Sequence, residues 1–446
     1  MSVEMLMDGP RTVVLVGMGL ANRAAAGALA RRGHRVVAVD DRPTDELRDA
    51  VGAIGIVLHE APDVEALTNI FNSCDLACPA PGLPEAHPAF AVAMATETPV
   101  VSEFDLAAVW DDRPILAVTG TNGKTTVVEL AVAAFDAAEM VAVAAGNTDV
   151  PLVAAIDDPK TEVFVVEASS FRLARSQSFR PQVGVWLNFA PDHLDVHRDL
   201  QSYEDAKAVL FEQVAADGSI VANAADEIVM ARVPPGRRAI TFGASGDWDV
   251  VDGMLSGPDG PFIEIGRLWR SLPHDVEDAL AVAAAVTVLG VPLDAVARAC
   301  ESFAPLSHRV TAVGEIDNMT YYDDSKATTP HATVAALRGF DRVVLIAGGR
   351  NKGIDLSGLA TEPDRVAAVV AIGEAAEEVG AAFAGVAPVI EATDMTEAVA
   401  AARRLSAGSV PVLLSPGCAS FDWYRNYGDR GDDFARIVNE LAEATP

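Results

Sequence analysis

Hydrophobic and polar positions along the chain switch repeatedly between two periods. Short apolar runs end in glycine- or acid-bearing turns, and each turn leads into a longer Ala/Val/Leu stretch at helical spacing. Residues 12–41 show the pattern first: an apolar run, Gly17-Met18-Gly19, an Ala-rich stretch to Arg32, then a second apolar run ending at Asp40-Asp41. That order predicts strand, turn, helix, strand. Residues 75–78 predict another strand, which opens into the rigid turn Pro79-Ala80-Pro81-Gly82-Leu83-Pro84. The first domain is expected to close near Trp110, with Asp111-Asp112-Arg113-Pro114 as a linker, giving boundaries of 1–110, 111–310 and 311–446.

The second domain opens on the most informative stretch of the chain. An apolar run, 115–119, meets Gly120-Thr121-Asn122-Gly123-Lys124-Thr125-Thr126, and a helical pattern follows. Small residues let successive backbone N–H groups curl round an anion, and a helix start adds its positive end. Lys124 is placed to reach outer phosphates and the Thr125 hydroxyl to ligate Mg²⁺. Thr119 stands where the usual pattern has its first glycine, so the loop is a variant with Gly120 inside it. It is expected to bind a nucleoside triphosphate. Further strands are expected at 140–144, 161–167 and 182–188. Glu167 ends one of them, as a metal-reaching carboxylate or a solvated strand end. His193 follows another, as a ligand or a structural residue. Lys207 lies among small and apolar neighbours in a predicted helix, and its spacing alone reads as a solvated face. The third domain repeats the strand–turn–helix theme at 319–329, 343–353 and 410–422. Three tandem open α/β domains follow: Rossmann-like, P-loop ATPase-like, and Rossmann-like again.

Composition narrows the chemistry. The 446 residues carry 33 basic and 64 acidic side chains, a net charge of −31. Such a surface repels nucleic acid and anionic lipid, so neither is an expected partner. Arg11 precedes an apolar run that Asn22 and Arg23 interrupt, so no leader peptide is expected, and no run approaches the ~20 apolar residues of a membrane span. Cys74, Cys78, Cys300 and Cys418 have no metal-ligand spacing and read as small buried residues. A cytoplasmic monomer is expected. In the first domain Asn22 replaces the third glycine of G-x-G-x-x-G. The turn could seat a dinucleotide or the uridine and diphosphate of another nucleotide, or simply pack a sheet.

Together these motifs resemble the Mur ligases, ATP-dependent amide-bond enzymes of peptidoglycan precursor assembly. The resemblance spans the chain and rests on residues 120–126, Glu167-Ala168-Ser169-Ser170-Phe171, His308-Arg309, Asp324-Ser325-Lys326-Ala327-Thr328, Gly348-Gly349 with Lys352, and 415–422. It points to the glutamate-adding branch. The resemblance implies that ATP phosphorylates the terminal carboxylate of UDP-MurNAc-L-alanine and that the amine of glutamate, D rather than L, attacks the acyl phosphate. It implies two Mg²⁺ sites, with Thr125 and Glu167 at one, and His193 and a carbamylated Lys207 at the other. Gly120, Thr121, Asn122, Gly123, Lys124, Thr125, Thr126, Arg309 and Asp324 would hold ATP, with Lys124, Glu167, His193, Lys207, Arg309 and Lys326 as the catalytic set. Leu20, Asp40, Asp41, Arg42, Gly82 and Asn147 would face the UDP-sugar. Lys326, Thr328, Lys352, Ser420 and Tyr427 would surround glutamate. The chain departs from the family at Ala21, Ala80, Asp149 and Arg172 on the nucleotide-sugar side, at Asp275 and Asp278 near the adenine, and at Thr311. A related ligase acting on another carboxylate donor or with L-glutamate, a non-catalytic nucleotide switch, and a nicotinamide dehydrogenase built on Gly17-Met18-Gly19 are the competing readings.

Overall fold

The fold was obtained as a computed structural model, which describes residue 3 and residues 7–443. The chain forms two compact units. Of the described residues, the first holds those up to 189, 195–264 and 278–301; the second holds 190–194, 265–277 and 302–443.

In the first unit, β1 (Thr12–Val16), β2 (Arg35–Asp40), β3 (Val57–Glu60) and β4 (Leu76–Pro79) form a parallel sheet in the order β3-β2-β1-β4. A second parallel sheet contains β5 (Ile115–Thr119), β6 (Ala142–Gly146), β7 (Val163–Glu167), β8 (Val183–Trp186), β9 (Ser219–Asn223) and β10 (Ala239–Phe242), ordered β10-β9-β8-β5-β7-β6. β5, β7 and β8 are buried along their whole length, which is why they read as unbroken apolar runs rather than as alternation. The sheet order reverses around β5, so its C-terminal end lies at a topological switch point. A small antiparallel sheet of β11 (Asp249–Val251), β12 (Met254–Gly257) and β13 (Gly260–Glu264) follows.

The two parallel sheets share one core, in which Val13, Leu15 and Ala25 belong to the same apolar cluster as Phe104, Ala117 and Val166. The expected linker is therefore not a loose one. Arg113 pairs with Asp111 and donates to the carbonyls of Ile156, Asp158 and Thr161, which fastens that segment along the edge of the second sheet. The strand expected at 140–144 lies two residues later, because Met140 closes the preceding helix by donating to Phe135 O. Three of the cysteines are buried, while Cys74 is half-exposed.

The second unit carries β14 (Thr311–Ile316), β15 (Met319–Asp323), β16 (Val343–Gly348), β17 (Val366–Ile372), β18 (Val389–Ala392) and β19 (Val412–Gly417), in the order β14-β15-β19-β16-β17-β18. Only the β14–β15 hairpin is antiparallel. β16 and β19 are wholly buried, and their C-terminal glycines release the loops that hold the candidate residues of this unit. No helix among the described residues is long and apolar enough to cross a membrane.

Candidate functional site

The loop after β5 is shaped by its glycines. Gly123 caps the helix Lys124–Ala137 at φ +87°, a conformation that side chains with a Cβ rarely adopt, and an added Cβ would stand 2.8 Å from Asp278 Oδ1. Asn188, at the end of the β8 segment, braces the loop. Its Oδ1 accepts from Thr121 N at 3.1 Å and Asn122 N at 2.9 Å, and its Nδ2 donates to Asn122 O at 3.2 Å. Lys124 Nζ folds back to donate to Gly120 O at 2.9 Å and Thr121 O at 3.0 Å.

Glu167, at the end of neighbouring β7, is buried rather than solvated. Its two oxygens accept from Thr125 Oγ1 at 2.8 Å and Asn147 Nδ2 at 2.9 Å, so hydroxyl, amide and carboxylate converge at one place beside the helix start. Burial raises the pKa of Glu129, one turn along the same helix, and the Glu167 charge adds to that rise.

Lys207 overturns the reading from its spacing. It is only 1% exposed, its Nζ donates to Gly120 O at 2.7 Å, and it stands 4.7 Å from the centre of the Tyr203 ring. Helical periodicity alone misleads here because the helix Leu200–Gln213 buries Tyr203, Ala206, Lys207, Ala208, Leu210 and Phe211, a broader face than one apolar stripe. The Tyr203 hydroxyl reaches Thr121 Oγ1 at 3.2 Å. Thus Lys124, Thr125, Glu167, Asn147 and Lys207 all gather round one loop.

At the first sheet, Asp40 closes the β1 turn by accepting from Met18 N at 2.7 Å and Arg42 N at 2.9 Å. Asn22, in place of the third glycine, is fully buried, and its Nδ2 donates to the carbonyls of Val16, Gly17 and Cys78. Asp41 meets His87 at 2.9 Å, and both Leu20 and Gly82 are exposed. The ring of Pro79–Pro84 is held by Arg175, which donates to Ala80 O, Pro81 O and Leu83 O. Leu20, Asp40, Asp41, Arg42 and Gly82 therefore collect beyond the C-terminal ends of β1, β2 and β4.

Arg172, expected to face the nucleotide-sugar, is instead buried against Glu103. Glu103 also accepts from Val153 N at 3.1 Å, and burial pushes its pKa up against the opposing Arg172 charge. The pair joins the helix Glu103–Trp110 to the segment after β7. Nothing in the sequence pattern singles out Glu103, Arg175, Asn188 or Tyr203, because their partners are far away along the chain.

In the second unit, His193 adopts φ +56° and its Nε2 lies 3.2 Å from Asp192 Oδ2. Lys352 Nζ donates to the other oxygen of Asp192 at 3.1 Å. Burial works to raise the Asp192 carboxyl, but the His193 and Lys352 charges outweigh it and hold its pKa low. The loops carrying Lys352 and Ser420 run side by side through a two-way Arg350–Ala419 backbone bridge. Asp324 is buried, accepts from Ser415 Oγ at 2.7 Å, and has its pKa pushed up to about 7, chiefly by burial. Asp275, expected near the adenine, is likewise buried, and Arg270 grips both its oxygens while donating to Arg309 O. Lys326 Nζ sits 3.8 Å over the Tyr427 ring centre, an arrangement that attracts a cation to the electron-rich ring face, and Thr328 is half-buried nearby in sequence. Asp149, on the loop after β6, is exposed.

Residues 118–255 match the model of the Mur ligase middle domain, and residues 308–418 match that of the Mur ligase glutamate ligase domain. A UDP-N-acetylmuramoylalanine–D-glutamate ligase of Desulfosudis oleivorans is 36% identical, over 97% of this chain and 97% of its own. The protein of the same name from Frankia casuarinae is 36% identical, over 96% and 93%. Among solved structures, a pseudomurein peptide ligase type C from Methanothermus fervidus superposes with a TM-score of 0.62 at 17% identity, covering 97% of this chain and all of that one. MurF from Acinetobacter baumannii does so with a TM-score of 0.61 at 17% identity, over 97% and 90%.

Proposed function

The chain belongs to the Mur ligase family, whose members are ATP-dependent amide-forming ligases, and on that premise we propose that it joins D-glutamate to UDP-MurNAc-L-alanine. The observation that carries the proposal is the convergence of Lys124, Thr125, Glu167 and Lys207 on the β5 loop, beside relatives of that name along nearly the whole chain.

The acyl donor's carboxylate and the ATP γ-phosphate are both anions, and bringing them together costs Coulomb energy unless cations stand between them. Lys124 supplies one charge at the loop mouth. Thr125 and Glu167 offer hard oxygen donors at 2.8 Å from each other, a donor set that fits Mg²⁺, with phosphate oxygens and water completing the shell. Among the described residues there is no cluster of three or more His, Cys, Asp or Glu side chains that could hold a metal ion. Bound there, Mg²⁺ would screen charge on the phosphates. Lys207 and His193 are assigned to a second Mg²⁺, with Lys207 carbamylated; the closeness of Lys207 Nζ to Gly120 O supports a place for it at the phosphate loop.

We assign UDP-sugar binding to residues 1–110, ATP to 111–310 and glutamate to 311–446. Arg309 and Asp324 are assigned to ATP, and Lys326, Thr328, Lys352, Ser420 and Tyr427 to glutamate. Phosphoryl transfer gives an acyl phosphate and ADP; the glutamate amine then attacks the acyl carbon, and a tetrahedral intermediate expels phosphate. The test is phosphate release by purified protein in the cytoplasmic range of pH, with mass detection of product. Release only with UDP-MurNAc-L-alanine and D-glutamate together is expected. Release indifferent to both, or product with L-glutamate alone, would overturn the assignment.

A further inference from the structure

His308 and Asp323 belong to no role assigned so far, yet they tie together three segments of the second unit. Asp323 ends β15, is buried, and uses both oxygens: Oδ2 meets His308 Nδ1 at 2.6 Å and Oδ1 accepts from Ser325 N at 2.8 Å. His308 carries a left-handed backbone, φ +61°, and its carbonyl accepts from Lys326 N at 3.1 Å. The circuit His308–Asp323–Ser325–Lys326–His308 is thus closed. Its third wall is the helix Tyr427–Glu443, where an added Cβ on Gly431 would stand 2.2 Å from His308 Nδ1 and 2.6 Å from Asp323 Oδ2. Ser325 Oγ donates to Tyr427 O at 2.8 Å and receives buried Arg430 Nε at 2.9 Å. The His308 ring packs edge-on against Tyr427, with centres 6.0 Å apart.

Each of the three segments brings one member of an arrangement that none could fix alone. Lys326 is a flexible four-carbon side chain, and holding its ammonium over the Tyr427 ring requires the turn and the helix to keep their spacing. The imidazole–carboxylate pair fills that spacing with a short hydrogen bond whose strength increases when the imidazole is charged. We propose that Asp323 and His308 are positioning residues that set the Lys326 ammonium over Tyr427 and thereby tune affinity for the carboxylate of the incoming amino acid. This rests on the assignment of Lys326 to the glutamate site.

The experiment has two readouts. In steady-state kinetics, Asp323→Asn keeps an acceptor for Ser325 N but removes the charge facing His308 Nδ1, while Asp432 stays 3.9 Å from His308 Nε2. It should raise KM for glutamate by roughly tenfold, leaving KM for ATP within about twofold and kcat within about threefold. Gly431→Ala should reproduce this pattern, and His308→Gln, whose amide can still donate to Asp323, should show a smaller rise in KM for glutamate. The second readout needs no substrate. The chain has five lysines, Lys124, Lys160, Lys207, Lys326 and Lys352, so amine labelling followed by mass spectrometry resolves each one. Labelling of Lys326 relative to Lys160 should accelerate in Asp323→Asn and Gly431→Ala. A shifted labelling ratio with no glutamate-dependent turnover in the unmodified protein would uphold the positioning pair and refute the glutamate assignment. An unchanged ratio, or equal rises in KM for ATP and glutamate, would overturn the pair itself.

Discussion

Replacing Lys207 separates its packing from its chemistry. The side chain is buried, and Gly120 O, which it contacts, also accepts from Lys124 Nζ at 2.9 Å. Lys207→Met therefore keeps the volume and does not orphan that carbonyl. Its cost should be one hydrogen bond from a charged group, about 1.5–3 kcal/mol, less what the apolar thioether regains by burial. Lys207→Ala loses in addition three methylenes, about 0.8 kcal/mol each, for a total of about 4–5 kcal/mol before the cost of the cavity it leaves. If the amine, or a carbamate made on it, acts on charge at the phosphate loop, both variants should lose roughly 10²–10³ in kcat, as removal of an electrostatic group from such sites does. Acetate or formate should restore part of the activity in Lys207→Ala, where room exists, and none in Lys207→Met. Phosphate release with saturating substrates, run beside urea denaturation, measures both quantities. Near-normal turnover in a stably folded Lys207→Met would show that this lysine only packs, and the metal-site assignment would fall with it.

Two further outcomes follow from buried charges. Arg172→Met should cost about 3–5 kcal/mol in urea unfolding, because Glu103 is left buried without its cation; a cost below ~1 kcal/mol would mean that the pair does not hold the helix Glu103–Trp110 to the segment after β7. Asp324 has a folded pKa of about 7, above its ordinary value near 3.8, so the folded state binds the proton more tightly than the unfolded state does. Its contribution to stability is fully present below about pH 4 and is lost as pH rises towards 7. Asp324→Asn should accordingly gain in melting temperature relative to the unmodified protein between pH 5 and pH 8, and a constant difference across that range would refute the raised pKa.

Much of the fold was legible in the sequence. The alternation of parallel strands and helices, the glycine-bearing loop between β5 and its helix, and Glu167 at the end of β7 follow from local signals. Those signals are the apolar run of a strand buried on both faces, glycines where φ must be positive, and a threonine and lysine at a helix start. Each depends on residues within a few positions of one another, so the sequence alone determined them. The burial of Lys207, the Arg113 clamp on the supposed linker, the Arg172–Glu103 pair and the His308–Asp323 circuit are of another kind. Their partners lie 87, 48, 69 and 15 residues away for Gly120, Thr161, Glu103 and Asp323 respectively. Whether a charged side chain meets water or a distant partner depends on which surfaces the sheets bring together. Composition and spacing carry no record of that encounter, and only the tertiary structure decided it.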